Sequence, residues 1–204
     1  MRSMGLAGFL CLLSTTIGAC TTPPSSPAPS AAARSTSAPV SRVTDLEGRP
    51  AAPLATAADH RATVLLFITH DCPISNGYAP EIRRLCDAFG PRGVAFYLVY
   101  SDPSVTPVEA RQHYHDYAYT CAALLDPDHE LARLAGATIT PEAAVFLPNR
   151  QRIYRGRIDD LYVDLGKPRF HATSNDLRDV LDAIAKNQPL TARTTPAIGC
   201  HIPM

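Results

Sequence analysis

Seven consecutive residues, Thr63 to Thr69 (TVLLFIT), make an apolar, β-branched run without polar alternation. Alternation would mark a strand with one wet face. Its absence marks a strand covered on both faces, which requires layers above and below a sheet. Downstream, Asn76 to Phe89 (NGYAPEIRRLCDAF) sets Ile82, Leu85, Cys86 and Phe89 at helical spacing and stops at Gly90-Pro91, predicting one helix. Gly93 to Tyr100 reads as a second buried strand, Pro107 to Tyr117 as a helix, Cys121 to Leu125 as a short strand and His129 to Ala135 as another helix. Ala143 to Leu147, a Pro148-Asn149-Arg150 turn and Arg152 to Ile158 read as a hairpin, and a last helix runs from a Ser174 N-cap to about Lys186. Such alternation, closed by an antiparallel hairpin and a helix, describes an α/β sandwich with parallel strands at its centre.

Charge points to no partner. Lys plus Arg and Asp plus Glu each number 19 in 204 residues, so no field of one sign recruits nucleic acid, an acidic membrane surface or a highly charged substrate. The six cysteines, at 11, 20, 72, 86, 121 and 200, take their meaning from the compartment. Residues 1–19 (MRSMGLAGFLCLLSTTIGA) offer one Arg, an apolar run from Gly5 to Leu13 and then small residues, the pattern of a secretory signal too short to span a bilayer. The sequence Ile17-Gly18-Ala19-Cys20 resembles a bacterial lipobox, which implies lipidation of Cys20. Ordinary cleavage near Ala19, leaving a free thiol, is the alternative. Thr21 follows where Asp would argue for inner-membrane retention, so the outer membrane is favoured for a lipoprotein facing the periplasm. Residues 20–40, rich in Pro, Ser and Ala, bury no face and read as a tether. The folded domain is expected over 41–189, with a tail over 190–204.

Cys72-Pro73 stands directly after the first core strand, and Pro141 opens the hairpin. Over residues 43–187, this order resembles the thioredoxin fold, and within it the secreted redoxin branch related to the AhpC/TSA and thiol-disulfide oxidoreductase families. Val43-Thr44-Asp45-Leu46-Glu47-Gly48 is similar to the entry segment, FITHDCP to the active-site strand and helix entry, and LLDPDHELARLAGAT to the inserted strand and helix. Ile139-Thr140-Pro141 resembles the loop whose proline is cis. The resemblance implies a thioredoxin-like three-layer sandwich with an inserted βα unit of redoxin type. It also implies a partner contact at Thr140 and Pro141, and thiol chemistry with protein thiols or disulfides of the cell envelope, without cofactor or metal.

Cys72 sits where a helix begins, and unsatisfied amides there favour the thiolate, the reactive form. Pro73 takes the first helical position, where a missing N–H costs nothing. Placement at a strand end exposes the sulfur. Thr69 and His70, just upstream, are able to donate hydrogen bonds to it, and Asp71 reads as solvated.

Ser75 stands three residues after Cys72, so a disulfide of Cys72 is not resolved within its own motif. In a helix starting near Cys72, Cys86 lies about 20 Å along the axis, whereas bridged Cα atoms are within about 7 Å. Cys121 opens a parallel strand, hence lies at the far end of the sheet, where the helix carrying Cys86 also ends. A structural Cys86–Cys121 disulfide is one outcome and two buried thiols the other. Cys200, in the tail TPAIGCHIPM, follows the last helix by about fourteen residues. Gly199 allows close backbone approach. A tail cysteine meeting a helix-mouth thiolate resembles a resolving arrangement of peroxiredoxins, which pairs Cys200 with Cys72. An unused thiol, an intermolecular bridge and a metal ligand remain alternatives for Cys200.

The leading expectation is therefore a lipid-anchored thiol-disulfide oxidoreductase. A thiol peroxidase is the second: Thr69-x-x-Cys72 matches part of the peroxiredoxin signature, but Leu65 stands where that signature has proline. The third is a copper chaperone resembling the Sco type, with soft sulfur from Cys72 and Cys200 and an imidazole from His201 or His70, although Asn76 replaces that family's second cysteine. His113 and His115, two apart on a helix, fall on different faces and read as solvated. The charges of Tyr154 to Asp160 (YRGRIDD) read as a solvated turn.

Overall fold

The computed structural model describes residues 42–203. The signal segment 1–19, Cys20 with its lipidation, and the tether 20–40 lie outside the described residues.

In chain order the elements are β1 Thr44–Asp45, β2 Ala62–Ile68, α1 Pro73–Gly77, α2 Ala79–Phe89, β3 Val94–Tyr100 and α3 Pro107–Asp116. There follow β4 Ala122–Leu125, α4 Glu130–Ala135, β5 Ile139–Thr140, β6 Glu142–Phe146, β7 Arg152–Gly156, β8 Tyr162–Asp164 and β9 Lys167–Pro168. α5 Asp176–Ala185, β10 Arg193–Thr194 and β11 Cys200–His201 complete the chain. The main sheet has the order β1-β4-β3-β2-β6-β7-β10. Its middle strand, β2, runs parallel to β3 and antiparallel to β6.

Every residue of β2 is buried, and successive side chains point to opposite faces. Ala62, Val64, Leu66 and Ile68 share an apolar cluster with Ile82, Leu85 and Phe89 of α2, Ala110 of α3, and Leu177, Leu181 and Ile184 of α5. Leu65 and Phe67 belong to a second cluster with Val43, Leu54 and the α4 residues Leu131, Ala132 and Ala135. Helices thus cover both faces, giving three layers. Burial of each large apolar side chain stabilises the fold by about 1.5–3 kcal/mol.

The helix expected from Asn76 to Phe89 is two helices, α1 and α2, hinged at Tyr78. Pro80 is the cause: it has no N–H for the Asn76 carbonyl and its ring crowds that group, so the ladder restarts from Tyr78, whose carbonyl accepts the Ile82 N–H at 2.9 Å. The N-cap of α5 is Asn175 rather than Ser174, because the Ser174 hydroxyl is turned to Asp176 at 3.0 Å. α3 opens with a reciprocal Thr106–Glu109 capping box. The tail is integrated: β10 extends the sheet beside β7, and β11 pairs antiparallel with β5.

Candidate active site

The site lies where β2 ends. Cys72 is the N-cap of α1, in extended conformation, with Pro73 at the first helical position. Ser75 is buried, and its hydroxyl oxygen accepts the Thr69 N–H at 3.4 Å. The residue that takes the place of a second motif cysteine therefore ties the strand end to the helix. Thr69 turns its hydroxyl to Asp71 at 2.9 Å, not to the sulfur. Among the described residues no hydrogen bond joins the His70 ring to Cys72, and His70 Nδ1 is buried without a partner.

Thr140 and Pro141 face Cys72 across the mouth, and the bond between them is cis. Cys72 Sγ lies 3.4 Å from the Thr140 carbonyl oxygen, which accepts a hydrogen bond from the sulfur when it is a thiol. Cys200 stands directly opposite Thr140 in the β11–β5 pair and is bridged to Cys72, with Cα atoms 6.2 Å apart. The structure thus brings Cys72, Thr140, Pro141 and Cys200 together. It corrects one expectation: Cys72 is only 1 % exposed, because the tail is sealed over the strand end that would otherwise open it to solvent. Cys86 and Cys121 are bridged to each other at the remote end, Cα atoms 6.1 Å apart. A small cavity of about 140 Å³ beside the first bridge is lined by Thr69, Asp71, Asp102, Thr140, Cys200 and His201. Among the described residues no three His, Cys, Asp or Glu side chains gather as a metal-binding group.

Residues 34–156 match the model of the AhpC/TSA family. The chain belongs to the AhpC/TSA family. It is similar in structure to an uncharacterized conserved protein from Geobacillus kaustophilus, at 26 % identity and a TM-score of 0.70, covering 80 % of this chain and 87 % of that one. A hypothetical protein from Sinorhizobium meliloti 1021 is similar at 25 % identity and a TM-score of 0.69, over 78 % and 88 % of the two chains. The thioredoxin domain of a thiol-disulfide oxidoreductase from Bacteroides vulgatus shares the fold at 12 % identity and a TM-score of 0.51, over 72 % and 95 %. No curated protein matches in sequence. The architecture is thus a thioredoxin-like redoxin fold.

In this AhpC/TSA-family chain the loop before Cys72 is held by a network that sequence reasoning missed. His113, expected to be solvated, is 5 % exposed. The Tyr100 hydroxyl meets His113 Nδ1 at 2.8 Å, His113 Nε2 meets Asn76 Oδ1 at 2.8 Å, and Asn76 Nδ2 donates to the His70 carbonyl at 2.8 Å. A neutral imidazole satisfies this chain by accepting from Tyr100 at Nδ1 and donating from Nε2. Burial first, then the neighbouring His70, pushes its pKa down to about 4, so the neutral form persists. The readable signal is the apolar face Ala110, His113 and Tyr117 at helical spacing; the Tyr117 ring packs 4.6 Å from the imidazole.

Glu142, next to Pro141, is a second missed residue. It is buried, accepts the Thr138 N–H at 2.9 Å and lies 3.4 Å from Arg155, fixing the cis-proline loop from behind. The expected solvated turn at 154–160 is also corrected, since Asp159 and Asp160 are both buried. Asp159 accepts from the Tyr78 hydroxyl at 2.7 Å, and burial raises its pKa despite that bond. Asp160 accepts from the Thr173 hydroxyl and the Thr173 and Ser174 N–H groups, which hold it below the usual carboxylate range. These carboxylates are anchors for the 173–174 turn and the Tyr78 hinge.

Proposed function

We propose that the chain is a lipid-anchored thiol-disulfide oxidoreductase of the cell envelope, held through Cys20 and acting on protein thiols or disulfides. The observation that carries this reading is the Cys72–Cys200 bridge beside the cis Thr140–Pro141 bond. In the forward direction the Cys72 thiolate attacks one sulfur of a partner disulfide; a Cys72–partner bond forms and the other partner sulfur leaves as thiolate. Cys200, as thiolate, then attacks Cys72 Sγ, forms the Cys72–Cys200 bond and releases the second partner sulfur. The partner is reduced by two electrons and the cysteine pair is oxidised by two. A partner dithiol runs the same steps backwards and restores both thiols. The electron pair moves within S–S bonds, so no cofactor takes part.

Differential thiol trapping with peptide mapping, across a series of glutathione ratios, tests the assignment. Cys72 and Cys200 are expected to change state together, and Cys200→Ser to accumulate a mixed disulfide on Cys72. Independent titration of the two cysteines, with both required for copper uptake, would overturn it. Peroxide consumption that depends on Cys72 would replace it with peroxidase chemistry.

A further inference from the structure

The end of the tail is bound as a strand from another molecule would be. Cys200 faces Thr140 and His201 faces Ile139 in antiparallel register. The Ile202 N–H donates to the Thr138 carbonyl at 2.9 Å, and the Thr140 hydroxyl donates to the Cys200 carbonyl at 3.4 Å. Ile202 is buried in the cluster of Leu131, Ala132 and Phe67, while His201 between them is exposed. β5 is two residues long and, among the described residues, has β11 as its one strand partner. Lifting the tail therefore leaves an open backbone edge beside Cys72, with an apolar socket two residues beyond the sulfur.

Two features make this edge selective. A Cβ on residue 199 would collide with the Thr140 carbonyl, so this register admits only glycine directly before the cysteine. The Ile202 socket asks for an aliphatic side chain two residues after it. Backbone pairing supplies the general hold, and alternate side chains supply the selection.

We infer that the tail is the resident occupant of the Ile139–Thr140 edge and that the register it occupies selects clients, favouring an extended protein segment with glycine before its cysteine and an aliphatic residue two after it. The inference rests on the thiol-exchange reading of Cys72. While the Cys72–Cys200 bond is intact the tail cannot leave. Once a dithiol has reduced that bond, only hydrogen bonds and the Ile202 side chain retain it, and a client strand takes its place. When Cys200 attacks the Cys72–client disulfide, the returning tail covers the edge again and expels the client, so product release follows from resolution itself.

The test uses a fluorescent peptide of tail residues 197–203 with serine in place of the cysteine, titrated by anisotropy into the full chain. At least tenfold tighter uptake is expected by the reduced than by the oxidised protein, with further tightening in reduced Ile202→Asp, whose own tail loses its socket. Alanine in place of the peptide's glycine is expected to weaken uptake at least tenfold. Cys200→Ser, which leaves the socket intact, serves as the second variant should Ile202→Asp unfold. Equal uptake by oxidised and reduced protein, or indifference to the alanine peptide, overturns the inference. So does a reduced dimer with exchanged tails and no peptide uptake, which would make a second copy the occupant. The probe has no thiol, so a failure of thiol exchange, read by trapping on the same samples, leaves the docking result standing and fails only the oxidoreductase reading.

Discussion

Gly199 lies against Thr140 so closely that a methyl group on residue 199 would overlap the Thr140 carbonyl. Gly199→Ala is therefore expected to push β11 off β5 and to separate Cys200 from Cys72. In a glutathione series the fraction of bridged Cys72–Cys200 should fall by tenfold or more at fixed ratio, while the Cys86–Cys121 bridge at the remote end is unchanged. Thiol trapping with peptide mapping reads both bridges in one sample.

Ser75→Ala removes the buried oxygen that accepts the Thr69 N–H. An unsatisfied buried donor costs about 1–3 kcal/mol, so the urea midpoint should fall with an unchanged slope. An unaltered midpoint would mean that water or a backbone shift replaces the hydroxyl.

His113→Gln breaks the Tyr100–His113–Asn76 chain, and its effect should depend on pH with a definite sign. His113 titrates at about 4 in the fold against 6.5 ordinarily, so between those values the unfolded chain binds a proton that the folded chain does not. Stability contributed by the neutral imidazole is thus complete above about pH 6.5 and is lost as pH falls towards 4, by up to about 3 kcal/mol. Asp126 and Asp159, both raised by burial, act in the opposite direction. The prediction is therefore the difference between wild type and variant, measured by chemical denaturation at pH 7.5 and pH 4.5: the destabilisation caused by the substitution should shrink at the lower pH.

Replacing both Cys86 and Cys121 with Ala releases a cross-link spanning 35 residues. Loop-closure entropy puts the loss near 4 kcal/mol. Denaturation midpoints should fall accordingly, while trapping shows Cys72 and Cys200 still exchanging. Loss of their exchange in the folded double variant would join the two bridges functionally.

The parts of the molecule that declared themselves in sequence are those where one local rule decides. Thr63 to Ile68 had to be covered on both faces because no polar residue alternates within it. The helix entry at Cys72-Pro73 followed from capping chemistry. Pro80 was readable too, but the apolar spacing of Ile82, Leu85 and Phe89 continues smoothly and masked the break. His113, Glu142, Asp159 and Asp160 were not legible, because a polar side chain reads as solvated until its tertiary partners are known. The partners here, Asn76, Thr138, Tyr78 and Thr173, come from other elements. Covering of Cys72 by the tail was hidden for the same reason: β11 and β5 are two residues each, below any periodic signal.

The tail holds the molecule at a second point, upstream of its cysteine. Arg193 and Thr194 pair with β7, and the Thr195 N–H donates to the Arg155 carbonyl at 3.0 Å. Four residues lie between Thr195 and Cys200, and the five Cα-to-Cα steps make a leash of roughly 17 Å when extended. A Cys200 thiolate thus stays within a short swing of Cys72, and its attack on a Cys72–partner disulfide, which expels the partner sulfur as thiolate, is a unimolecular step at high effective concentration. Its rate is independent of how dilute the protein is, and an incoming thiol has to outpace that closure rather than merely bind.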